Sequence, residues 1–111
     1  MDITVSGRHL PVSEDLKGYV EGKLAKLATQ YPKLTHARVI LDHEKIVQKA
    51  EITLTGKNIN LVAHAELEDM YAAIDLAADK LDKQLHKFVE KLHDHHGDPK
   101  LRDIEPASAG A

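Results

Sequence analysis

Four lysines, Lys80, Lys83, Lys87 and Lys91, recur at steps of three or four residues. On a helical wheel of about 100° per residue they share an arc of roughly 80°, while Asp75, Asp79, Asp82 and Glu90 occupy a separate one. A helix stabilised by its own salt bridges interleaves opposite charges. Here the signs are segregated, and the like-charged pairs Lys83/Lys87 and Lys87/Lys91 each cost roughly 0.2–0.5 kcal/mol. A polyanionic partner offsets that cost, because ammonium groups on flexible stems neutralise phosphates as mobile point charges. Lys23 and Lys26 stand on one shoulder of an earlier helical segment and would join the stripe in a basic strip if that shoulder faces the later helix. A solvated helix face has the same spacing, so the pattern alone leaves both readings open.

Other chemistries are weakly supported. His93, His95 and His96 invite a metal-site reading, but their spacing on a helix aims them in different directions and no carboxylate completes a set. Histidines near a helix C-terminus also interact favourably with its dipole, which accounts for them without a metal. His9, His36, His43 and His64 are scattered, and none belongs to a recognisable nucleophile motif. The glycines are isolated, which excludes a dinucleotide fingerprint and a P-loop. Neither a catalytic residue nor a metal or cofactor is predicted. Gly18 and Gly22 share one face of the earlier helix, where they would permit close approach of another surface, RNA backbone included.

Composition narrows the class further. At 111 residues, with 42% hydrophobic and 30% charged residues, the chain suits a single soluble domain with one modest core. Tyr19, Tyr31, Tyr71 and Phe88 are its only aromatics, so the core must be mainly aliphatic and stacking of splayed bases is not its mode of binding. The absence of cysteine excludes disulfides and Cys-based metal sites. No apolar run approaches the roughly 20 residues needed to cross a bilayer, and the N-terminus resembles no targeting segment, so a cytoplasmic protein is expected. A formal charge of −3 repels phosphate at long range. Inside a Debye length of about 8 Å it is local placement that decides.

The elements that must place these residues are legible from period. Ile3 and Val5 alternate with polar neighbours before Gly7, predicting a short first strand. Ser13 is a good N-cap, Glu14 and Asp15 suit the positive end of a helix dipole, and Leu16, Val20, Leu24, Leu27 and Tyr31 recur at helical spacing until Pro32. Ala37, Val39 and Leu41 predict a second strand, and Ala50, Ile52 and Leu54 a third. Gly56-Lys57-Asn58 turns the chain into a fourth strand through Ile59, Leu61, Ala63 and Ala65. Asp69 caps a long second helix whose apolar stripe runs from Ile74 to Leu92, ended by Gly97 and Pro99. The order β-α-β-β-β-α predicts an α+β fold, a four-stranded sheet with both helices packed on one face, and the right-handed crossover rule makes strands one and two parallel if they are neighbours. Residues 1–96 then form the domain, and residues 97–111, polar and aperiodic, a disordered tail.

The run Asp69-Met70-Tyr71-Ala72-Ala73-Ile74-Asp75, with Asp79-Lys80-Leu81 and Gln84-Leu85-His86-Lys87 after it, resembles the ribosome hibernation promoting factor and ribosome-associated inhibitor family. The resemblance extends from Met1 to about His96, through Gly7-Arg8-His9-Leu10-Pro11-Val12 and Lys23-Leu24-Ala25-Lys26-Leu27. It implies a fold similar to a double-stranded RNA-binding domain, whose helical basic residues hold ribosomal RNA of the small ribosomal subunit at the tRNA and mRNA positions and so inhibit translation. By position, Lys23, Lys26, Lys80, Lys83, Lys87 and Lys91 match the family's RNA-contacting residues. Asp82 and Glu90 depart from that pattern and make the second helix less basic. Gly97 to Ala111 cannot supply the second domain of long family members, so a short form is expected, a monomer off the ribosome with a separate ribosome modulation factor as a further partner. The rival reading is a free-standing binder of structured RNA, since the same two helices could track any A-form backbone.

Overall fold

The computed structural model describes residues 1–93. Its elements are β1 (Asp2–Arg8), α1 (Glu14–Gln30), β2 (Leu34–Glu44), β3 (Val47–Gly56), β4 (Ile59–Leu67) and α2 (Met70–His93), in the predicted order. The sheet runs β1-β2-β3-β4. β1 pairs parallel with β2, setting Ile3 beside Ala37 and Val5 beside Val39. The hairpins are antiparallel, so Ile52 lies between Val39 and Ala63. The boundary predicted at residue 96 and the tail predicted for 97–111 lie outside the described residues.

Local chemistry sets the ends of the helices. The Ser13 side chain accepts from the Leu16 amide at 3.1 Å, satisfying one orphan donor of the first turn. At the other end Pro32 restricts its predecessor, and Tyr31 takes an extended conformation with φ −144° that closes α1. Asp69 caps α2 twice, its carboxylate accepting from the Ala72 amide at 3.1 Å and its carbonyl from Ala73 at 2.9 Å. The turn from β3 to β4 is Lys57-Asn58, with Asn58 in the left-handed region at φ 59°. Gly56 is required by proximity, because a Cβ there would run into the backbone of Lys33 and Leu34 where β2 begins.

Both helices cover one face of the sheet. Val20, Leu24 and Leu27 of α1 and Ile74, Ala77, Leu81 and Leu85 of α2 are buried against Val39, Leu41, Ile52 and Leu54. The aromatics lie between the helices. Tyr19 meets Tyr71 edge to face at 4.9 Å near the helix starts, and Tyr31 meets Phe88 at 5.4 Å near the ends, so α1 and α2 run parallel.

Candidate nucleic-acid interface

Burial of Ala77, Leu81 and Leu85 fixes the rotation of α2, and that rotation distributes the charges predicted from the wheel. Toward α1 it turns its acidic arc. The Tyr19 hydroxyl donates to Asp75 Oδ1 at 2.5 Å, Lys23 Nζ lies 3.1 Å from the same oxygen, and the Gln30 amide donates to Asp82. The shoulder carrying Lys23 and Lys26 does face α2, as the basic-strip reading requires. What it meets corrects that reading, because Asp75, Asp79 and Asp82 line the intervening groove of about 250 Å³ together with the two lysines. The groove is of mixed sign, because the rotation that buries Leu81 and Leu85 leaves the acids on the α1 side.

The opposite flank of α2 lies along β4. Lys80 Nζ donates to the His64 carbonyl at 2.9 Å and Gln84 to the Val62 carbonyl at 3.1 Å, which occupies two acceptors on the exposed edge strand of the sheet. Lys83, on the outer surface, sits 3.6 Å from Asp79, and His86 sits 3.4 Å from Glu90. Lys26, Lys87 and Lys91 are exposed and form no ion pair among the described residues. The six lysines singled out in the sequence are therefore not equivalent. Lys23 and Lys80 already hold parts of the fold together, Lys83 is held loosely, and Lys26, Lys87 and Lys91 offer their ammonium groups to solvent. Gly18 and Gly22 are open on the outer side of α1, where a Cβ would meet nothing within 4 Å.

Asp75 is the electrostatic joint of the two helices. The Tyr19 hydrogen bond and then the Lys23 ammonium hold its carboxyl below the usual carboxylate range, against partial burial. The same contact raises the Tyr19 hydroxyl and, through Asp75, the Lys23 ammonium. A depressed carboxylate adds stability above its unfolded value near 3.9, and that stability is lost as pH falls through the lower folded value. The Asp75 side chain is 45% exposed, so solvent screening keeps the contribution under about 1 kcal/mol. Asp75→Asn should therefore flatten the dependence of melting temperature on pH below about pH 4. Thermal melts from pH 2 to 7 check this, and an unchanged acid limb would show that the joint contributes nothing.

Histidines that look scattered in the sequence meet at the end of the sheet where β1 and β2 finish. His9 Nδ1 lies 3.0 Å from Asp42 Oδ1, the His43 amide donates to the same oxygen at 2.7 Å, and His43 Nε2 lies 2.9 Å from the His9 carbonyl. His9 is held in the left-handed region at φ 67° by these contacts. They pin the loop from β1 to α1 onto β2, a tie between residues 33 and 34 positions apart that no local motif announces. Among the described residues no three acidic or histidine side chains are placed to hold a metal ion. His95 and His96, considered above with His93, lie outside the described residues.

Charge also separates along the long axis. Both helices start at the end that holds the turn from β2 to β3, and Glu14, Asp15, Glu44, Glu66, Glu68 and Asp69 gather there. The opposite end carries Lys26, Lys33, Lys57, Lys87 and Lys91. Arg8, Lys17, Lys45 and Lys49 also lie toward the first end and Asp82 and Glu90 toward the second, so the separation is an excess of one sign at each end, which the formal charge of −3 does not show.

The model of the family described as Sigma 54 modulation protein / S30EA ribosomal protein matches residues 3–93, from β1 to the end of α2. The chain belongs to this family. A relative from Pseudomonas putida named ribosome hibernation promoting factor is 48% identical over 91 residues, 82% of this chain and 89% of its own. Among solved structures, a ribosomal subunit interface protein from Coxiella burnetii superposes with a TM-score of 0.77 at 26% identity, covering 82% of this chain and all of its own. The N-terminal domain of Thermus thermophilus Protein Y gives 0.73 at 34% identity, covering 79% of this chain and 99% of its own. The S30EA family thus shares the β-α-β-β-β-α architecture that the alternation of apolar residues predicts. No helix among the described residues is long and apolar enough to cross a membrane.

Proposed function

We propose that this chain is a ribosome hibernation factor that binds the small ribosomal subunit, sets its exposed lysines against ribosomal RNA phosphates where tRNA and mRNA are held, and so keeps ribosomes inactive. The observation that carries the reading is the 48% identity, across nearly all of the described domain, to a ribosome hibernation promoting factor. The geometry fits. Lys26, Lys87 and Lys91 present mobile ammonium groups, which suit phosphates, whereas the four aromatic rings pair with one another and only Tyr71 among them is exposed. Such a protein works by occupancy, without covalent chemistry, and in the cytoplasm where its partner is.

Co-sedimentation with vacant ribosomes and separated subunits tests the proposal. The chain should travel with the small subunit and be released by messenger with initiator tRNA, or by raising the salt. Preference for naked duplex RNA, indifferent to ribosome occupancy, would instead favour a general binder of structured RNA. Failure to leave the top of the gradient in any condition would sink both.

A further inference from the structure

The basic end extends past the helices. Lys33, where α1 turns into β2, and Lys57, in the turn from β3 to β4, are both exposed, and neither forms an ion pair among the described residues. The two turns are fastened backbone to backbone, because the Lys57 amide donates to the Lys33 carbonyl at 3.3 Å. Gly56 permits that approach. The Leu34 amide donates to the Tyr31 carbonyl at 3.1 Å, and Tyr31 in turn packs on Phe88, the neighbour of Lys87. Two loops and the last turns of α2 therefore form one fixed platform, with long cationic side chains emerging from it. Two acids lie on the nearby helix turns, Asp82 accepting from the Gln30 amide and Glu90 3.4 Å from His86, against the four lysines Lys33, Lys57, Lys87 and Lys91. A rigid base with mobile ammonium tips suits phosphodiester groups, whose positions are set by the RNA backbone and not by base identity.

We propose that Lys33 and Lys57 form a second phosphate-binding pair, continuous with Lys87 and Lys91, through which the basic end of the molecule grips the backbone of structured RNA. This rests on the ribosome-binding reading above and adds to the helices two loop residues that no helical period could reveal. The test compares the full chain, Lys33→Ala/Lys57→Ala and Lys87→Glu/Lys91→Glu for co-sedimentation with vacant small subunits from 50 to 200 mM salt. Removing two phosphate contacts should flatten the slope of log affinity against log salt by roughly 1.4 to 1.8, with an unchanged melting temperature because both side chains are exposed. Lys33→Arg/Lys57→Arg should restore the wild-type slope, since the charge is what matters and a turn defect would not be rescued in this way. A wild-type slope in the alanine pair, while Lys87→Glu/Lys91→Glu fails to bind, overturns the platform and leaves the ribosome reading intact. Absence of binding by the wild type removes that reading, and the platform with it.

Discussion

Lys87→Glu combined with Lys91→Glu should abolish association with the small ribosomal subunit while leaving the fold intact. Losing two charge-assisted hydrogen bonds of about 1.5 kcal/mol each lowers affinity by roughly a hundredfold, and reversing the sign adds repulsion from the same phosphates. The choice of residues matters. Lys80 donates to the His64 carbonyl at the edge of β4 and Lys23 supports Asp75, so reversing either would disturb the fold and confuse loss of binding with loss of structure. Lys87 and Lys91 carry no such duty among the described residues, and both are exposed. Reversing both makes the like-charged pair Lys83/Lys87 an opposite-charged one, leaves positions 87 and 91 like-charged, and places acids near the negative end of the α2 dipole, effects of under about 1 kcal/mol each. Far-ultraviolet circular dichroism and a melting curve should therefore match the wild type. Unchanged co-sedimentation by the double variant would refute the assignment of the interface to this stretch of α2.

Much of this arrangement is legible in the sequence, and what is hidden has identifiable reasons. The alternation of Val39, Leu41, Ile52 and Leu54 reports the buried face of the sheet, and Ser13, Pro32 and Asp69 mark the helix ends through interactions within a few residues. The pairing of β2 and β3 extends beyond the apolar alternation, to Glu44 and Val47, because the backbone ladder continues where side chains no longer distinguish core from solvent. The wheel grouped Lys80, Lys83, Lys87 and Lys91 on one arc, but what each of them touches depends on the neighbouring elements. The acceptor for Lys80 is a backbone carbonyl of another strand, which has no sequence signature, and the partner of Lys23 is an aspartate of the other helix. The proposed pair Lys33 and Lys57 has no sequence signature either, because both lie in turns, outside any period, and only the contact of two loops brings them together.

Leu81→Ala should have the opposite signature, a large loss of stability with binding retained. Leu81 is fully buried within the cluster that joins α2 to the sheet, and truncating it removes apolar contacts and leaves a cavity, at a cost of about 3 kcal/mol. For a domain of this size that is a large share of a total near 5–15 kcal/mol, and it should lower the melting temperature by roughly 10–20 °C. The rotation of α2, which decides where Lys87 and Lys91 point, does not depend on Leu81 alone. Lys80 and Gln84 tie one flank to β4, Asp75 and Asp82 tie the other to α1, and Tyr31 against Phe88 holds the distal end. A cavity between such ties loosens the helix without turning it, so the folded fraction should still travel with the small subunit well below the new melting temperature. If the folded variant instead loses its partner, the interface depends on the packing of α2 more finely than phosphate contacts by mobile lysines require, and a shape-complementary contact would have to replace them.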